Sequence, residues 1–147
     1  MEHEHIEVDQ RIQMKKFHLG DVLSIITGRL VSPRHIDGVY AILHFMTDDN
    51  VFTHAIPRVI AECKPYLVKQ FPQLDSSKMD AALATLGETL EDKRGKIEAA
   101  KLVEVWLARQ IEEYGEMLDV ESIPKDAHAV KHPLAEIGEM RERRLVQ

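Results

Sequence analysis

A single cysteine, Cys63, stands among 147 residues. That excludes an intramolecular disulfide framework and a cysteine-built zinc cage, and it agrees with a reducing compartment. Aromatic residues make up only 5% of the chain. The core must therefore be assembled from Leu, Ile, Val, Ala and Met, a palette that favours helices over sheets. No apolar run approaches the length that crosses a bilayer. The opening MEHEHIEVDQ has neither the basic region nor the apolar stretch of a secretory leader. The expected location is the cytoplasm, with no membrane partner. A basic excess is also missing: the net charge is −6, and an acidic surface repels a phosphate backbone, so nucleic acid is not an expected partner. Two basic runs, RIQMKKFH at 11–18 and RERR at 141–144, lie near the ends and carry no interleaved stacking aromatics.

What is present is a globular balance of 44% apolar and 30% charged residues, arranged at helical spacing. Leu19, Val22, Leu23 and Ile26 recur at i, i+3, i+4 and i+7, with Asp21 in the first turn and Gly28 as the stop. Ser32-Pro33 reads as an N-cap and first helical residue ahead of Ile36, Val39, Tyr40, Leu43 and Met46, a stripe ended by Asp48-Asp49-Asn50. A third stripe of Ile56, Ile60, Cys63, Leu67 and Phe71 contains Pro65, which predicts a kink or a break. Ser77 and Asp80 resemble a capping box ahead of Met79, Leu83, Leu86 and Leu90. The longest stripe, from Lys96 to Tyr114, carries Ala100, Val103, Leu107 and Ile111, widened by Ala99, Leu102 and Trp106, and Gly115 closes it. Because it is apolar over more than half its circumference, this helix is expected at the centre of the domain. A dimer or partner interface is the alternative use of that width.

The expected architecture is mainly α: a compact bundle of about five helices over residues 17–123. A flexible lead-in at 1–16 precedes it, and an irregular or partly helical tail at 124–147 follows. A small two-stranded β ribbon would pair residues 14–17 with residues 116–120.

Two stretches of the chain, HLGDVLSIITGRLVSPRHIDGVYAILHFMTDDNVFTHAIPR (18–58) and WLARQIEEYGEMLDVESIPKDAH (106–128), resemble a family of small uncharacterised proteins encoded by bacteriophages and prophages. The resemblance implies a setting inside a bacterial host cell and, by association, a protein that binds a host or phage protein. It assigns no residue a role.

The candidate chemistry is sparse. His128 and His132 have the i, i+4 spacing of a helical metal pair, with Asp126 the nearest third ligand. The segment is bounded by Pro124 and Pro133 and has no helical stripe, so neither a metal nor a cofactor is expected. His3 and His5 sit at a terminus that pre-organises nothing. His18, His44 and His54 could meet Asp21 where the first three helices pack, as a His/Asp-based enzyme would require. Ser24 and Cys63, nucleophiles by type, lie in no G-x-S-x-G or catalytic-cysteine context. The turn at 28–36 offers Arg29, Ser32, Arg34 and His35 beside a helix N-terminus, where an anion or a partner protein could be met. The plainer reading there is a capped helix with weak surface pairs. Glu104, Glu112, Glu113 and Glu116 could mimic nucleic acid toward a basic groove on a target.

Together with the acidic charge, the resemblance implies an expected function as a small acidic phage-type accessory protein that binds a host or phage protein and blocks a host defence or regulatory complex. The residues expected to do so are Glu104, Glu112, Glu113, Glu116, Arg29, Arg34 and His35. A metal-dependent or His/Asp enzyme and a DNA-binding regulator are the alternatives, and a homodimer fits the wide helix.

Overall fold

The stretch LGDVLSIIT carries a single charge, Asp21, and its hydroxyls Ser24 and Thr27 donate back to the carbonyls of Gly20 and Leu23, so little of it needs water and it belongs in the interior. In the computed structural model, which describes residues 12–91 and 96–146, it forms helix α1 (Leu19–Thr27), buried continuously from Leu19 to Ile26. Its Leu19, Val22, Leu23, Ile25 and Ile26 each contribute roughly 1.5–3 kcal/mol of burial. Around it stand α2 (Ile36–Thr47), α3 (Ile56–Gln70), α4 (Ser76–Glu91) and α5 (Lys96–Tyr114). Strands β1 (Met14–His18) and β2 (Met117–Glu121) pair antiparallel, with Met14 opposite Glu121 and His18 opposite Met117. Helix α6 (Pro133–Val146) follows on the outside. The fold is thus mainly helical with one small ribbon. Among the described residues, no helix is long and apolar enough to cross a membrane. Residues 1–11, with His3 and His5, and the side chain of Leu90 lie outside the described residues.

The longest helix is not the central one. Among its described residues α5 buries only Trp106 and Leu107, and Val105 is 54% exposed. Trp106 is a packing anchor whose Nε1–H donates to the Ala82 carbonyl at 3.1 Å, fastening α5 to α4. Centrality went to the helix with a single charge, since α5 must keep its charged side in water.

Three local expectations shift as well. Helix α3 runs unbroken through Pro65. Pro65 and Ala61, four residues earlier, are both exposed, so the carbonyl left without its N–H partner can be hydrated. Ser32 and Pro33 form a turn, and α2 begins only at Ile36. At the start of α4, Asp75 takes the capping position ahead of Ser77: its Oδ1 accepts the Ser77 N–H at 3.4 Å, and its carbonyl accepts from Met79. The stops fall where expected, with Gly28 at φ 72, Asp48 at φ 52 and Gly115 at φ 94.

Candidate functional site

Asp21 is the one charged residue of α1, and its side chain is fully buried. A carboxylate out of water is costly unless its lone pairs are matched. Here Ser32 Oγ donates to Oδ1 at 2.5 Å and Arg34 Nη2 donates to Oδ2 at 2.7 Å. Both partners come from the loop at 29–35, which folds back on α1. Ser24 Oγ fastens the same loop by donating to the Gly20 carbonyl at 2.8 Å and accepting the Val31 N–H at 3.0 Å.

Two glycines make the close approach possible. A Cβ on Gly20 would lie 2.7 Å from Pro33 Cδ, and one on Gly38 would overlap Ser32 Oγ and Asp21 Oδ1. The loop leaves this clamp through His35 at φ 56, ψ −138. A side chain there costs about 1–3 kcal/mol of backbone strain, which persists only where the surroundings over-determine it.

The outer side of the loop faces α5 across an open groove of about 230 Å³, lined by Leu30, Pro33 and His35 on one wall and Ala100, Val103 and Glu104 on the other. Leu30 is 50% exposed at its lip. The groove unites two of the residues expected to bind a partner, His35 and Glu104. Arg29 is exposed on the same loop. Arg34 is turned onto Asp21. Glu112 and Glu113 are exposed but lie eight and nine residues further on, about 12 Å or more along the axis of α5, and Glu116 is exposed beyond its end. Glu116 sits 3.8 Å from His18 Nε2.

The His/Asp constellation does not assemble. His18 Nδ1 accepts the Gly20 N–H at 2.9 Å, His44 Nε2 lies 3.3 Å from the Val51 carbonyl, and His54 faces Glu136. Both Asp21 oxygens are held by Ser32 and Arg34. Of the two candidate nucleophiles, Ser24 is engaged with the loop backbone. Burial, helped by the nearby Glu62 charge, pushes the Cys63 thiol up to about 12. Almost no thiolate forms near neutral pH, and the thiol is inert. Cys63 is therefore expected to resist maleimide in the native protein and to label fully in denaturant, as mass spectrometry would record.

A second constellation has no precursor in the sequence reading. Buried His128 lies between two carboxylates, Nδ1 2.5 Å from Glu62 Oε1 and Nε2 2.8 Å from Asp49 Oδ2. With ionised carboxylates, both contacts are hydrogen bonds at once only when the ring carries both protons. Arg58 grips Glu136 with Nε at 2.5 Å and Nη2 at 3.1 Å, while its Nη1 donates to Glu62 Oε2 at 3.0 Å and to the Ala129 carbonyl at 2.8 Å. His54 Nε2 lies 3.4 Å from Glu136 Oε1 without the alignment of a hydrogen bond, and it is buried with no hydrogen-bond partner among the described residues. His132 Nδ1 accepts the Leu134 N–H at the start of α6, and Asp126 is exposed. Among the described residues, no group of three or more His, Cys, Asp or Glu is placed to hold a metal ion.

The hydrogen bond from Arg58 holds the Glu136 carboxyl below its ordinary value of 4.5 against the opposing effect of burial. A carboxyl depressed in the folded state stabilises above its unfolded value, and that stability is lost as pH falls through the folded one. Stability should therefore decline with acid below about pH 4.5, the ordinary value. Glu136→Gln should flatten that part of a pH series of melting curves.

Residues 17–77 match a family described as a domain of unknown function (DUF7736), under half of the chain. The match contains Asp21, Ser32, Gly38, Asp49, His54, Arg58 and Glu62. It stops short of α5, His128 and α6. No curated protein and no solved structure matches the chain.

Proposed function

We propose that the protein acts by binding another protein, in the groove between the 29–35 loop and α5. The observation that carries this is the strained, clamped His35 standing at an apolar groove beside exposed Leu30. Backbone strain of this kind collects at binding and switch sites. Size favours a protein partner over a small-molecule substrate. At about 230 Å³ the groove is smaller than the roughly 300–1,000 Å³ of ligand pockets, and it suits one or two anchoring side chains. The lining calls for an apolar anchor flanked by a basic residue opposite Glu104. In the setting implied by the resemblance to phage-encoded proteins, that partner is a host protein, and binding blocks a defence or regulatory complex.

The test is affinity capture from bacterial lysate with the full chain, compared with Leu30→Asp, Val103→Asp and a Glu112→Lys/Glu113→Lys/Glu116→Lys triple variant. The reading expects one host protein to be lost with either groove variant and retained with the triple variant, all four proteins melting alike. Capture that survives both groove changes and fails with the triple variant would assign binding to the acidic end of α5 and overturn the groove. His35→Gly should also raise stability by about 1 kcal/mol, the strain released less the entropy cost of glycine.

A further inference from the structure

The charge network around Arg58 plays no part in groove binding. Among its described residues α6 buries only Glu136, and the chain nearby leaves Val130 77% and Leu134 74% exposed. The arm from residue 128 onward is held to the body through His128 on Glu62 and Asp49, Ala129 on Arg58 and Glu62, and Glu136 on Arg58. Removing an ion pair from water costs about as much as the attraction returns. An arm attached in this way leaves its seat more readily than one held by apolar area.

The seat is built from both sides: Glu62 holds Arg58 Nη1 from within α3, while Ala129 and Glu136 hold it from the arm. Arg58 stands in the first turn of α3. Its Nε and Nη2 present the two-pronged geometry that matches a carboxylate. His54 adds a buried ring nitrogen with no hydrogen-bond partner among the described residues, 3.4 Å from Glu136 Oε1.

We propose that His54 and Arg58 form a carboxylate-binding site for a helix of a partner protein that carries a glutamate in its first turn, and that Glu136 fills it in cis as a displaceable cover. The occupant's chemistry is that of α6 itself: a helix with a glutamate in its first turn and little apolar area to bury. The site is separate from the groove, so its failure would leave the groove reading standing.

Glu136→Ala tests it directly, because alanine plus acetate reproduces the deleted side chain. In the full chain, about 100 mM acetate should raise the melting temperature of Glu136→Ala by about 2–4 °C over chloride at equal ionic strength, with no such difference for the unaltered chain. A synthetic peptide of residues 133–146, PLAEIGEMRERRLV, should bind the variant, and the same peptide with Glu136→Gln should bind at least about tenfold more weakly. Adding Arg58→Met should abolish both effects. If Glu136→Ala does not fold, Glu136→Gln replaces it and should bind the peptide more tightly than the unaltered chain does. Absence of rescue in a folded variant, or equal binding of the Glu and Gln peptides, would reduce the pair to a fixed structural bridge and overturn the proposal.

Discussion

Alanine at position 38 is expected to destabilise the protein by about 3–5 kcal/mol, although glycine to alanine inside a helix ordinarily stabilises by about 1 kcal/mol. The reversal comes from what the new methyl meets. A Cβ on Gly38 would overlap Ser32 Oγ and Asp21 Oδ1. Neither atom is the loose end of an exposed side chain, because both are buried and bonded to each other at 2.5 Å. Relief requires either moving α2 off α1 or breaking that bond and leaving a carboxylate under-matched in the core. Overpacking costs about 1–3 kcal/mol, and an unsatisfied charged group costs at least as much again. A total stability of about 5–15 kcal/mol cannot absorb this unnoticed. Gly138, in α6, is the control: a Cβ there meets nothing within 4 Å, so Gly138→Ala should be neutral or slightly stabilising. Urea denaturation measures both. A Gly38→Ala midpoint equal to that of the unaltered chain would refute the clamp.

Arg58→Met is expected to release the C-terminal arm while leaving the helical body folded. The change removes the partner of Glu136, one partner of Glu62 and the donor to the Ala129 carbonyl. Stranding a buried charge costs about 3–5 kcal/mol, but only if the charge stays buried. Glu136 has another course, because α6 buries no other described residue and can lift into water at smaller cost. The loss should therefore be local. Amide exchange over residues 133–146 should quicken by about 10- to 100-fold while α1 and α2 keep their protection. A uniform loss of protection, or none in α6, would contradict this account of the arm.

Local period was legible in the sequence wherever burial is apolar. The stripes through Leu23, Leu43, Leu67 and Leu107 mark four helices, because each repeats within one turn. Their ranking was not legible from length. Near-absence of charge was the signal, and it singled out the nine residues of α1 over the nineteen of α5. Ser32 and Arg34 were conspicuous as residues, but the turn in which they sit gave no hint that a buried Asp21 eleven and thirteen positions earlier needed them both. The Arg58–Glu62 pair is visible at i, i+4. The Arg58–Glu136 pair spans 78 positions, and ionic contacts at that distance leave no periodic trace. His54 and His128 were noticed for partners they do not have, Asp21 and His132, since a histidine's neighbours are set by packing rather than spacing.

The ribbon between β1 and β2 bears on the order in which this chain folds. Beside it, the Gln13 N–H reaches Ser122 Oγ across 109 positions. Closing a flexible loop of that length carries an entropy term of about 4 kcal/mol, more than a pair of five-residue strands could offset before anything else has formed. The helical contacts are mostly closer in sequence, and once α1 and α5 are packed the two strand segments already lie near each other. Ribbon formation should then fall after the transition state. Substitutions such as Lys16→Ala should speed unfolding and leave the refolding rate almost unchanged.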